Sequence, residues 1–120
     1  MVRAILWFAR TGFLALYAAI IFLSLASVES DVNVVHLIPS DKAGHFLGYF
    51  ALTSIAILAF PRIPIAVLAV IIITQSAAVE VAQPFFGRTA DIYDLLANLV
   101  GVAGAVAPVI SKNLRERMRA

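Results

Sequence analysis

Apolar residues fill the chain in four long runs, separated by short segments where prolines, glycines and charges collect. The first run covers residues 5–28 with Arg10 inside it, and its stretch 11–26 carries no charge. The second covers 42–60, and the third covers 64–86 and contains Glu80. The fourth covers 92–110 and contains Asp94 and Asn98. Each is close to the ~20 residues that a helix needs to cross ~30 Å of hydrocarbon. In that medium a backbone must satisfy its own N–H and C=O groups, so the runs predict helices and not open strands. The connections are short. Residues 29–41, with Glu29, Asp31, Pro39 and Asp41, make a polar loop that ends in a helix cap. Pro61-Arg62-Ile63-Pro64 makes a turn, with Pro64 preset for the first turn of the next helix. Residues 87–91 make the third connection. No repeat or linker divides the chain, so the expectation is an all-α, integral membrane four-helix bundle forming a single domain over 1–120.

Composition agrees with that pattern and removes other classes. The apolar set takes 62% of the chain, charged residues 13%, and mean hydropathy is +0.99. A soluble domain is about half apolar and about a quarter charged. A free cytosolic domain and a disordered tail are both excluded. So is a nucleic-acid module, because a net charge of +2 with most basic residues at the chain ends cannot track phosphates. The absence of cysteine removes disulfides, thiolate nucleophiles and iron–sulfur sites. Lysine and arginine placement then sets the orientation. With a cytoplasmic N-terminus, Arg3, Arg10, Arg62, Lys112, Arg115, Arg117 and Arg119 lie inside, and only Lys42 and Arg88 lie outside. This positive-inside imbalance predicts a multi-pass protein of the inner (cytoplasmic) membrane with both termini cytoplasmic. The basic segment 112–119 reads as a juxtamembrane anchor on anionic lipid, each charge contributing on the order of 1 kcal/mol.

Polar residues inside the spans carry the chemistry, because each is expensive in lipid. Asp41, His45, Tyr49 and Thr53 recur every four residues and form one stripe. Ser76, Glu80 and Gln83 share a face in the third span, as do Asp91, Asp94, Asn98 and Gly101 in the fourth. At 1.5 Å per residue these groups lie roughly 6–12 Å below the outer surface. They predict one polar cluster capped by Asp41, Lys42 and Arg88. Gly44 with Gly48, and Ala97 with Gly101 and Ala105, are small-residue patches that allow close helix contact. Asp41, Glu80, Asp91 and Asp94 against Lys42 and Arg88 leave a balance of −2 with His45 neutral. A protonated His45, a protonated carboxyl or a bound cation would offset it. His45 and Glu80 are the candidates for proton handling and catalysis. Lys42 and Arg88 suit a phosphate, and Asp41, Tyr49, Gln83, Asp94 and Asn98 complete the candidate ligand-binding set. His45, Glu80, Asp94 and Asp41 offer metal-type donors, but no tight H-x-x-x-H or E-x-x-H pair is present, so the sequence assigns no metal and no cofactor. The structural alternative is that the cluster only holds helices together.

Asp41-Lys42-Ala43-Gly44-His45-Phe46-Leu47-Gly48-Tyr49 resembles the D-K-x-x-H-x-x-x-Y opening of the VanZ-like membrane proteins. Glu80-Val81-Ala82-Gln83 resembles that family's E-x-x-Q, followed by Gly87-Arg88 and by Asp94, Asn98, Gly101 and Gly104 at the family's spacing. The resemblance covers residues 41–104, about half of the chain. It implies a small multi-span protein of the bacterial cell envelope, in a family named for teicoplanin resistance, and implies a place more than a reaction. The expected function is recognition or modification of an amphiphilic envelope ligand, such as a lipid-linked phosphate or a lipoglycopeptide, at an outward-facing polar pocket, with a contribution to glycopeptide resistance. The bilayer is the expected partner, with a second copy of the chain as a further one and no nucleic acid. The alternatives are a small proton-coupled transporter and a non-catalytic accessory subunit. Small multidrug exporters are expected to carry their glutamate on the first helix, where this chain has no carboxylate.

Overall fold

The computed structural model describes residues 1–25 and 41–120, with the side chain of Asp41 left aside. The expected polar loop over 29–40 and the expected role of the Asp41 side chain lie outside the described residues. Four helices follow one another: α1 (Val2–Leu25), α2 (Asp41–Ala59), α3 (Ile65–Ala82) and α4 (Ile92–Arg119). Among the described residues there is no strand. All four helices are long and apolar enough to cross a membrane, which marks a multi-pass membrane protein.

Local chemistry explains the helix ends. Pro61 and Pro64 stop α2 at Ala59, and Pro64 (φ −56°) opens α3. The third span departs from one continuous helix. Pro84 has no N–H to return to the carbonyl of Glu80, and the chain tightens into a 3-10 turn over Gln83–Phe86. Gly87, at φ 74°, ends that turn in the left-handed region, and the Arg88 N–H returns to the Gln83 carbonyl at 3.0 Å. Asp91 caps α4 by accepting the Tyr93 N–H at 2.8 Å. α4 does not end near 110 but continues to Arg119, carrying the basic segment as helix. At 1.5 Å per residue its 28 residues are about 42 Å long, so its final turns project past ~30 Å of hydrocarbon.

Burial is the inverse of a soluble bundle. Thr53, Ser76, Glu80, Gln83, Asp94 and Asn98 are buried, while Leu14, Leu58, Val70, Ile71 and Val100 are exposed. Lipid, being as apolar as leucine, gives no reason to hide those side chains, whereas polar groups must turn inward. The apolar core of Tyr49, Leu52, Ala56, Ile72, Val102 and Val106 comes from α2, α3 and α4. No residue of α1 is buried. α1 instead lies against this core through Phe13, Leu16, Tyr17 and Ile20, with the Phe13 ring edge-on to Phe60 at 5.3 Å. Arg10 caps the end of α2 by donating to the Ala59 carbonyl at 3.2 Å.

α2 and α4 make a close backbone contact at Gly101. A Cβ placed on Gly101 would lie 2.5 Å from the Phe46 carbonyl oxygen and 3.0 Å from the Phe50 nitrogen. Both obstacles are backbone, so neither can rotate away. Gly48 serves α1 instead, facing the Ile20 side chain at an ordinary 3.6 Å. Gly101→Ala should therefore push α4 off α2 and destabilise the fold by about 1–3 kcal/mol, the usual cost of overpacking. Gly12→Ala, with nothing within 4 Å, should be neutral or stabilising by up to about 1 kcal/mol from helix propensity. Unfolding of the two variants in detergent checks the contrast, and equal stabilities would refute the close-contact assignment.

Candidate functional site

The Gly101 contact sets the register of α2 against α4 and so places His45 opposite Asn98. His45 Nδ1 lies 2.9 Å from Asn98 Oδ1, and Asn98 Nδ2 donates to Ser76 Oγ at 2.8 Å. An amide oxygen only accepts, so in this arrangement the hydrogen sits on His45 Nδ1. The ring's other nitrogen, Nε2, faces Asp94 Oδ2 at 3.5 Å. Three helices thus meet in one chain of polar contacts, from α2 through α4 to α3.

The carboxylates are anchored at the end of the bundle where α2 and α4 begin. Lys42 reaches Asp91 Oδ2 at 3.2 Å and Asp94 Oδ1 at 3.4 Å, tying the start of α2 to the start of α4. Glu80 accepts the backbone N–H of Asp91 at 3.3 Å, tying α3 to the same point. Glu80 and Asp94 are only 6% and 5% exposed, so both are shielded although they lie close to a helix end. Outside the spans, Asp91 is held below the ordinary carboxylate range by the Tyr93 N–H first and by the Lys42 ammonium second. Ligand atoms of His45, Glu80 and Asp94 all lie within 4.8 Å of one another.

Lys42, His45, Glu80, Asp94 and Asn98, from the candidate set, come together here, with Ser76 as the link to α3. Tyr49, one turn further along α2, donates to Gln75 Oε1 at 3.2 Å. Thr53 turns back to the Tyr49 carbonyl at 2.7 Å. Gln83 and Arg88 reach the other way, to α1: Gln83 Nε2 donates to the Ser24 carbonyl at 3.2 Å, and Arg88 to the Leu23 carbonyl at 3.3 Å. They latch the end of α1. Sequence reasoning missed Gln75, whose signal is a second amide beside Ser76 in an apolar run. It also missed the Asp91 N–H, because a backbone donor at a helix start leaves no mark in side-chain spacing.

The chain matches no protein-family model, no curated protein and no solved structure. What the site can do follows from its own groups. Two shielded carboxylates beside an imidazole can share a proton, hold a cation, or orient a polar headgroup brought in from the bilayer.

The His45–Asn98 bond should be measurable by a double-mutant cycle. His45→Ala and Asn98→Ala each leave a buried polar partner behind and should each cost about 1–3 kcal/mol. The double variant should recover about 0.5–2 kcal/mol of the summed loss, the range for coupled neighbours in membranes. Additive losses in a detergent unfolding assay would mean that the two side chains do not interact.

Proposed function

We propose that this chain is a VanZ-like protein of the bacterial inner membrane whose His45–Glu80–Asp94 cluster engages the headgroup of an amphiphilic envelope ligand. The ligand class is a lipid-linked phosphate or a lipoglycopeptide, and binding or modification of it would contribute to glycopeptide resistance. One observation carries the reading: three ionisable side chains from three helices meet in one shielded cluster, with Lys42 at its rim. Helix packing alone needs no such concentration of charge, since apolar and small residues hold the rest of α2 against α4. In this reading Lys42 attracts the anionic headgroup, and His45 with Glu80 handles protons. Asp94 and Asn98 orient the imidazole, and Arg88, which now donates to the Leu23 carbonyl of α1, would turn from the 87–91 connection to meet the headgroup.

The orientation belongs to the same proposal. Arg3, Arg10 and Arg62 line one groove with Trp7 and Phe60, at the opposite end of the bundle from Lys42 and the cluster. Arginines and a tryptophan at one level suit the cytoplasmic interface. The cluster would then open outward, with both termini inside. The chain has no cysteine, so single cysteines are clean reporters. An impermeant thiol reagent applied to intact cells should label Thr89→Cys and spare Arg62→Cys. The reverse pattern would invert the topology and remove the outward site.

Proton-coupled transport is the second reading, favoured by the same pair of shielded carboxylates beside an imidazole. Substitutions separate function from helix packing. Glu80→Gln keeps shape and removes a buried charge, so a purely structural site should tolerate it. Arg88→Lys keeps charge and loses the bidentate fork. Both variants should insert and fold, with Arg88→Lys losing some thermal stability along with its bond to the Leu23 carbonyl, and both should lose lipid binding or the resistance phenotype. Retention of wild-type function by both would leave helix packing as the role of the cluster, and substrate-driven proton uptake in liposomes would establish transport.

A further inference from the structure

We propose that His45, Glu80 and Asp94 form a binding site for one divalent transition-metal ion of the zinc class, with the fourth position left to a solvent or ligand oxygen. Their donor atoms lie within 4.8 Å of one another, and His45 Nε2 to Asp94 Oδ2 is already 3.5 Å. A tetrahedral ion with bonds of about 2.0–2.2 Å needs its ligand atoms about 3.3–3.6 Å apart. The histidine–aspartate edge meets that spacing as it stands. Closing the remaining edges takes a movement of about an ångström, within reach of side-chain rotation on fixed helices.

A second observation points the same way and does not depend on proximity. Each donor group is held by a different atom or neighbour in the manner of a metal's outer shell. Asn98 takes the Nδ1 hydrogen of His45, with its own amide nitrogen committed to Ser76. A metal-binding histidine characteristically gives its other ring N–H to such an acceptor, which turns the ligating nitrogen toward the ion. Lys42 occupies Asp94 Oδ1 and leaves Oδ2 toward the imidazole. The Asp91 N–H fixes the Glu80 carboxylate through Oε2. Charge supplies the third argument. Glu80, Asp91 and Asp94 against Lys42 leave a balance of −2 with His45 neutral, and an ion of charge +2 cancels it. One imidazole and two carboxylates suit zinc, while magnesium prefers oxygen ligands alone and retains its waters. The ion would bridge α2, α3 and α4. The ion would occupy the same three side chains that the headgroup reading uses, and its binding is testable with no amphiphile present.

The experiment uses the purified full-length chain in detergent, stripped with a chelator and titrated with Zn2+ alone by calorimetry and by thermal melting. One ion should bind per chain and raise the melting temperature, and Mg2+ at equal concentration should do neither. His45→Ala and Asp94→Asn should abolish the stoichiometric binding. Asn98→Ala, which touches no ion, should weaken it about 10–100-fold, as outer-shell changes do. His36→Ala, at the chain's other histidine, should leave it unchanged. If the ligand variants fail to fold, the wild-type titration with its Mg2+ control and the His36→Ala titration still decide. No saturable Zn2+ binding by the wild type, binding that survives in folded His45→Ala and Asp94→Asn, or binding that vanishes with His36→Ala would each overturn the proposal. Lipid binding is assayed separately with Arg88→Lys, which alters none of the three ligands, so failure of the metal site and failure of the headgroup reading are told apart.

Discussion

An ionised carboxylate cannot be left alone in a hydrocarbon layer, and Glu80 and Asp94 find their partners on other helices. Asp94 draws on α2 through Lys42 and His45, and Glu80 draws on the start of α4 through the Asp91 backbone. Because Asp94 ties α4 to α2 and Glu80 ties α3 to the start of α4, the two pairings together fix how the three helices stand. The apolar core below is consistent with that arrangement but would also tolerate others, since lipid and leucine are equivalent neighbours. Direction comes from the polar end.

Gly101 is the second constraint, and it acts through sterics. Its missing side chain brings the α4 backbone against the Phe46 carbonyl, and Asn98, one turn earlier, then stands opposite His45. A methyl group at that position would part the helices just where the hydrogen bond depends on their spacing. The small residue and the polar pair are therefore one device. α1 stands outside it. With no buried residue, it is attached by aromatic packing near its middle, by Arg10 at one end and by the Gln83 and Arg88 latches at the other.

The polar cluster links architecture with chemistry. A proton, a divalent ion and an incoming headgroup all answer the same electrostatic demand, which is positive charge or hydrogen-bond donors beside two shielded carboxylates. Lys42 meets part of that demand from the rim and leaves Nε2 of His45 facing Asp94 Oδ2. The lysine's own side chain, half-exposed at the start of α2, stays open to solvent while it holds both aspartates.

By itself the sequence determined the class of the molecule. Four apolar runs of spanning length, proline and glycine punctuation at 61, 64 and 87, and too few charges for an aqueous surface leave helices in a membrane as the one consistent solution. Spacing of every three or four residues also put His45, Glu80, Asp94 and Asn98 on inward stripes at a common depth, because helical periodicity and rise are fixed by the backbone. Partnership was beyond its reach. The stripe through Glu80 and Gln83 splits, since Pro84 turns the chain into a 3-10 segment and Gln83 faces α1 while Glu80 faces α4. The basic tail looked like a segment beyond the last span and is the end of α4 itself. Only the tertiary structure decided that Asn98 holds one side of the His45 ring and Asp94 faces the other. That outcome depends on how closely α2 and α4 approach, a distance set between helices, and no spacing along one helix encodes it.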